Sequence, residues 1–187
     1  MGTVEGFNEA KFRELVLYVA KCGQAFRHWN ITKLYKILFL CDFQAYEKLA
    51  RPITSANYLA HELGPVPEQR GVIFQAMVAS GEIVDQVSAG QRHRLIPLRE
   101  PELSGFSPQE VDIINSAVEV LESDSAHAAN ERSQLLLGWL AARAEHKATG
   151  KEVVIPYDTV FVSNRRLDTF EEAHARELAA NYGWPVR

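Results

Sequence analysis

Catalysis needs reactive groups at set spacings: a nucleophile beside a base, two poised carboxylates, or metal ligands repeated along one face. The six histidines, His28, His61, His93, His127, His146 and His174, are scattered, and none pairs with another at helical or hairpin spacing. The sequence has no Cys-x-x-Cys and no His-Glu-x-x-His, which speaks against zinc. Gly-x-x-x-x-Gly-Lys and Gly-x-Gly-x-x-Gly are absent as well, so neither of those phosphate-cradling loops is present. The two cysteines, Cys22 and Cys41, lie inside apolar helical patterns. Both are expected as buried free thiols rather than as nucleophiles or a disulfide. The chain is therefore expected to be no enzyme and to need no cofactor or metal. What is left is recognition, through aromatic, cationic and proline-stiffened segments.

The elements that must position those segments come from a chain of 187 residues, 47% apolar and 24% charged. At this size about 70% of the unfolded surface can be buried, so a core forms without staples. The opening Met1-Gly2-Thr3-Val4-Glu5 lacks the basic-then-apolar order of a signal peptide, and no run reaches the ~20 apolar residues of a membrane helix. A cytoplasmic protein with no membrane partner is expected. Net charge is −4, divided as 12 basic against 10 acidic side chains in residues 1–100 and 8 against 14 in residues 101–187. That N-terminal excess is too small to mark a nucleic-acid-binding face by itself.

Phe12, Leu15, Val16, Val19 and Cys22 recur every three or four residues, which predicts an amphipathic helix from Asn8 to about Phe26, capped by Asn8 and fraying near Gly23. A second helix, residues 32–49, is apolar around most of its circumference and is expected to be the buried centre of the fold. Arg51-Pro52 ends it. A short strand within Asn57–Leu63 leads into Gly64-Pro65-Val66-Pro67, read as a rigid loop whose Pro67 opens a helix with Val72, Ile73, Ala76 and Met77 inside and Gly81 as its cap. Ile83–Val87 and Arg92–Ile96 form a β-hairpin across Ser88-Ala89-Gly90, giving a hairpin over 83–96. Ser107-Pro108-Gln109-Glu110 is a capping box ahead of a helix lined by Val111, Ile114, Val118 and Leu121. A fifth helix over about Ala126–Lys147 is anchored by Leu135, Leu136, Trp139 and Leu140, followed by an extended Val153–Pro156. Thr169 and Glu172 repeat the capping pattern before a last helix ending near Gly183. The expected class is α+β and predominantly helical, with five to six helices around the central one.

Thr32-Lys33-Leu34-Tyr35-Lys36-Ile37-Leu38-Phe39-Leu40 is similar to the Lys-Leu-x-Lys-Leu-Leu-Tyr helix of the Panacea domain of SocA-like antitoxins. Arg51-Pro52-Ile53-Thr54, then Tyr58 through Gly64-Pro65-Val66-Pro67, resemble its Gly-Arg-Pro-Ile and Gly-Pro-Val-x-Pro/Glu signatures, with Ala50 standing where the family has glycine. Gly150–Phe161, containing Ile155-Pro156-Tyr157, is similar to the closing segment. The family carries a Thr/Ser-His pair ahead of its tryptophan; here Glu131-Arg132-Ser133 precedes Trp139. The resemblance covers residues 10–162, which sets out a domain over 1–162 and a helical extension over 163–187, docked on a partner or packed on the same domain. It implies the antitoxin of a type II toxin–antitoxin system in a prokaryote or phage. Such a protein neutralises a cognate toxin by direct binding and in some relatives delivers a partner to a protease.

Gly64, Pro65, Val66 and Pro67 are the leading partner-binding candidates, because a rigid loop binds with little ordering penalty. Tyr58 and Trp139 are aromatics of the kind enriched at interfaces, or else core. Lys33 and Lys36 meet an acidic partner, or else lie as solvated lysines along the surface. The order of elements through residues 68–96 also resembles a winged-helix reader of operator DNA, in which Arg92 and Arg94 touch phosphates. Self-association stays open.

Overall fold

The structure, a computed structural model, describes residues 6–26, 29–88, 92–122 and 126–161; side chains at 88, 92, 121–122 and 126–136 are outside that description. The expected last helix, with Thr169 and Glu172, lies outside the described residues. The described elements run α1 (Glu9–Gly23), α2 (Ile31–Leu49), β1 (Tyr58–His61), β2 (Gly64–Pro67), α3 (Arg70–Ala79), β3 (Ile83–Ser88), β4 (Arg92–Pro97), α4 (Pro108–Glu122) and α5 (Ala126–Thr149), then a 3₁₀ turn at Tyr157–Phe161. The class is α+β with helices dominant, as expected.

Helix α2 is the centre. Residues 37–45 are buried without a break, and α1, α4, β2, β4 and the 3₁₀ turn all pack on it. Its start is set by Asn30, whose side chain accepts the Lys33 N–H at 3.1 Å; Asn8 does the same for Lys11 in α1 at 3.0 Å. Each such cap contributes about 1 kcal/mol. The capping box of α4 is present in both directions: the Ser107 N–H donates to Glu110 Oε2 at 2.8 Å, and the Glu110 N–H to Ser107 Oγ at 3.2 Å. Glu110 is enclosed and also pairs with Lys11 Nζ at 2.9 Å, tying α4 to α1. Burial alone would push its carboxyl up, but Lys11 and the Ser107 N–H outweigh that and hold it below the ordinary value.

Helix α2 ends on Ala50 in the left-handed conformation, at φ 57° and ψ 19°. That geometry explains the glycine the family carries here, since a Cβ in this region costs about 1 kcal/mol. Ala50→Gly is expected to raise stability by about 0.5–1 kcal/mol, readable as a higher urea midpoint at unchanged slope.

Segment 64–67 departs from the expected rigid loop. It is a strand, not a loop: β2 pairs antiparallel with β1 in the register Tyr58↔Pro67, Leu59↔Val66, Ala60↔Pro65 and His61↔Gly64. Two prolines survive in a strand because of where their missing donors fall. On β1, the Ala60 N–H and the Tyr58 carbonyl bond outward to Val153 and Ile155 of the segment that follows α5. The intervening Leu59 therefore faces Val66, and the nitrogens of Pro65 and Pro67 fall on the unpaired edge of β2. That edge offers no N–H to an added strand at either position. The Val153–Pro156 segment is extended, as expected, and makes a bridge from Val154 to Leu59.

Helix α3 begins at Arg70 rather than at Pro67, and it buries Ile73, Phe74 and Met77. Val72, expected inside, is 75% exposed. Leu140 is likewise outside rather than an anchor, whereas Trp139 is half-buried. Leu135 and Leu136 lie outside the described side chains. Helix α4 buries Ile113, Ala117 and Val120 beside the expected Ile114 and Val118. The β3–β4 hairpin is present as expected, and an ion-pair network fastens it to α1. Arg99 reaches Glu14 at 2.6 Å and Glu82 at 2.7 Å, and Arg13 reaches Glu82 at 2.7 Å.

Candidate functional site

The Arg-Pro-Ile-Thr and Tyr58 signatures meet inside the core, around a residue the sequence reading passed over. Asp42 is fully buried in α2. Its Oδ1 accepts the Thr54 N–H at 2.6 Å, and its Oδ2 accepts the Thr54 hydroxyl at 2.5 Å and the Tyr58 hydroxyl at 2.8 Å. Burial pushes the Asp42 carboxyl up to about 6 even though those three donors favour its charged form. A lone acid inside the apolar run 37–45 was the signal that could have marked it.

The folded state thus holds this proton more tightly than the unfolded chain, whose aspartate titrates at 3.8. The stabilisation this gives is fully present below the unfolded value and is lost as pH rises through about 6. Comparing the wild type with Asp42→Asn by urea unfolding across pH 4–7 should show the wild type losing about 1–3 kcal/mol relative to the variant as pH rises. Equal slopes would show that Asp42 does not titrate in this window.

At the other end of β1, the β1–β2 turn carries an accessible candidate surface. Leu63 stands on it, 73% exposed. Glycine is needed at position 64, where φ is 130°, and a Cβ there would come within 3.1 Å of Lys36 Cε. A hollow of about 350 Å³ at the turn is lined by Tyr35, Leu63, Gly64, Pro65, Val66 and Arg70. A second, of about 240 Å³, is lined by Arg143, His146 and Glu152, and both share His61 and Glu62. The Trp139 indole N–H donates to the His61 carbonyl at 2.9 Å and fixes the turn to α5. Partial burial, with Arg70, His146 and Arg143 adding to it, lowers the His61 pKa.

Most of the sequence candidates gather here. Val66 and Lys36 are half-buried beside the turn, Lys33 lies one helical turn before Lys36, and Trp139 supports the turn from below. Gly64, Pro65 and Pro67 are largely enclosed, so β2 acts as a stiff base more than as a free loop. Tyr58 is the clear exception. It has no exposed surface and packs edge-on to Phe39 and Phe43 at 5.4 and 5.9 Å, so of the two expectations for it the core one holds and partner contact does not. His61, Leu63 and Arg143 were not singled out from the sequence, because only pairing of β1 with β2 and docking of α5 bring them together.

The residues named for DNA contact fare differently. Arg94 is turned towards α1, where Nη2 donates to Gln24 Oε1 at 2.7 Å, so it is not a free phosphate ligand; His93 pairs with Asp85 at 2.8 Å. The Arg92 side chain lies outside the described residues. Both cysteines are free, as expected. Cys22 is half-buried rather than buried, and burial raises both thiols, Cys41 well above its ordinary value. Among the described residues, no group of three His, Cys, Asp or Glu side chains is placed to hold a metal, and no helix is long and apolar enough to cross a membrane.

A family model described as antitoxin SocA-like, Panacea domain, matches residues 34–139, more than half of the chain. The chain belongs to this family. No curated protein and no solved structure matches it. The matched span of the Panacea domain begins in α2 and ends at Trp139, so it contains both the Asp42 network and the β1–β2 turn. Its signatures divide by role: Thr54 and Tyr58 close the core, whereas Gly64–Val66 build the surface beside Leu63.

Proposed function

We propose that this Panacea domain is the antitoxin of a type II pair, acting in the cytoplasm without catalysis or cofactor. It silences a cognate toxin, encoded beside it, by direct contact. The observation that carries this is the β1–β2 turn, where an exposed leucine lines one of two hollows that meet at His61 and Glu62, on a base stiffened by two prolines and anchored by Trp139. A preformed apolar projection of this kind binds with a small ordering cost, and a neutraliser needs such a surface rather than reactive groups. Co-expression with the product of the neighbouring reading frame should restore growth that this product abolishes, and the two should co-purify as a complex. Failure of the wild-type chain both to rescue and to bind would overturn the proposal.

A further inference from the structure

We propose that the β1–β2 turn is a clamp for an acidic segment bearing apolar side chains, supplied by the protein partner; this rests on the antitoxin reading above. The inference comes from how the cations are distributed. Around α1, α4 and the β3–β4 hairpin, the described cations other than Arg94, which bonds Gln24, are matched by carboxylates: Lys11 and Arg51 with Glu110, Arg13 with Glu9 and Glu82, Lys21 with Glu100, and Arg99 with Glu14 and Glu82. Around the β1–β2 turn they are not. Lys36 and Arg143 have no ion-pair partner among the described residues, and Arg70 bonds only the Pro67 carbonyl, at 3.2 Å. Of the nearby acids, Glu68 bonds Asn57 at 2.9 Å and Asp85 pairs with His93, while Glu152 lies 4.0 Å from His61 in the same hollow as Arg143. Glu62 is the sole carboxylate lining the larger hollow.

Unmatched cations near an exposed leucine suit carboxylates that flank an apolar contact. The proline edge of β2 adds a constraint, because an incoming strand would find no N–H at Pro65 or Pro67. The partner must therefore dock through side chains and not by extending the sheet. A nucleic acid is the poorer fit: the cations are few, and an exposed aliphatic side chain stands at their centre.

Three variants of the full-length chain test this: Leu63→Asp, Lys36→Glu and Arg70→Glu. The control is Lys48→Glu, about 18 Å further along α2 at 1.5 Å per residue. Each of the three should weaken binding to the neighbouring gene product about tenfold or more, with thermal unfolding unchanged, and the control should bind as the wild type does. A synthetic peptide of alternating glutamate and leucine should shift the amide signals of Tyr35, Leu63 and Val66, and its lysine–leucine counterpart should not. Wild-type-like toxin binding by all three variants would overturn the clamp while leaving the antitoxin role intact. Shifts of those signals by duplex DNA and not by the acidic peptide would also overturn it. A chain that binds the acidic peptide yet neither binds nor rescues against its neighbour would sustain the clamp and remove the antitoxin role.

Discussion

Tyr58→Ala is expected to cost about 4–5 kcal/mol, the upper end for removing a buried aromatic, because it both opens a cavity and strands a buried acid. The ring packs edge-on against the adjoining rings of Phe39 and Phe43, and its hydroxyl is one of the side-chain and backbone donors on Asp42. Domains of this size are stable by about 5–15 kcal/mol, so the variant would sit near the threshold of folding. Tyr58→Phe separates the two contributions. It keeps the packing and removes one hydrogen bond, and with Thr54 still donating twice to Asp42 the loss should be about 1–2 kcal/mol. Urea titrations of both variants at pH 7 would show the ordering. If Tyr58→Phe proved as damaging as Tyr58→Ala, the hydroxyl would matter more than the ring. If both were mild, the account of the core would be wrong.

Gly23→Ala should destabilise by about 2–3 kcal/mol, against what helix propensity alone would suggest. Gly23 is the last residue of α1, and a Cβ there would lie 2.2–2.5 Å from the Trp29 indole, deep inside contact distance. Trp29 is buried and held edge-on against Phe26 at 5.7 Å, so it has little room to withdraw. Gly71 in α3 is the contrast, with nothing within 4 Å of its missing Cβ. There Gly71→Ala should stabilise by about 0.5 kcal/mol, since only the backbone entropy of glycine is at stake. Thermal unfolding of the two variants should move in opposite directions. A rise in Tm for both would mean that the chain closes after α1 in some other way.

The SocA-like family matched over residues 34–139 gives its signatures separate physical tasks in this chain. Thr54 and Tyr58 neutralise the isolation of one buried acid, and the prolines of β2 end a sheet without leaving donors on its edge. Both tasks serve a rigid turn.

Much of this was written in local sequence. Apolar periodicity located α1, α2 and α4; Asn8 and the Ser107–Glu110 box marked helix starts within a residue; and the apolar girth of residues 37–45 announced the central helix. These signals are legible because each depends on neighbours three or four positions away. Tertiary structure alone decided the rest. Gly64–Pro67 became a strand because β1 lay opposite to receive it, Val72 and Leu140 fell outside because packing chose other faces, and Arg94 met Gln24 instead of solvent. The assembly of Lys36, His61, Leu63, Arg70 and Arg143 around one turn spans more than a hundred residues of chain. No periodicity encodes a juxtaposition of that reach, because burial of the core sets which distant surfaces end up side by side.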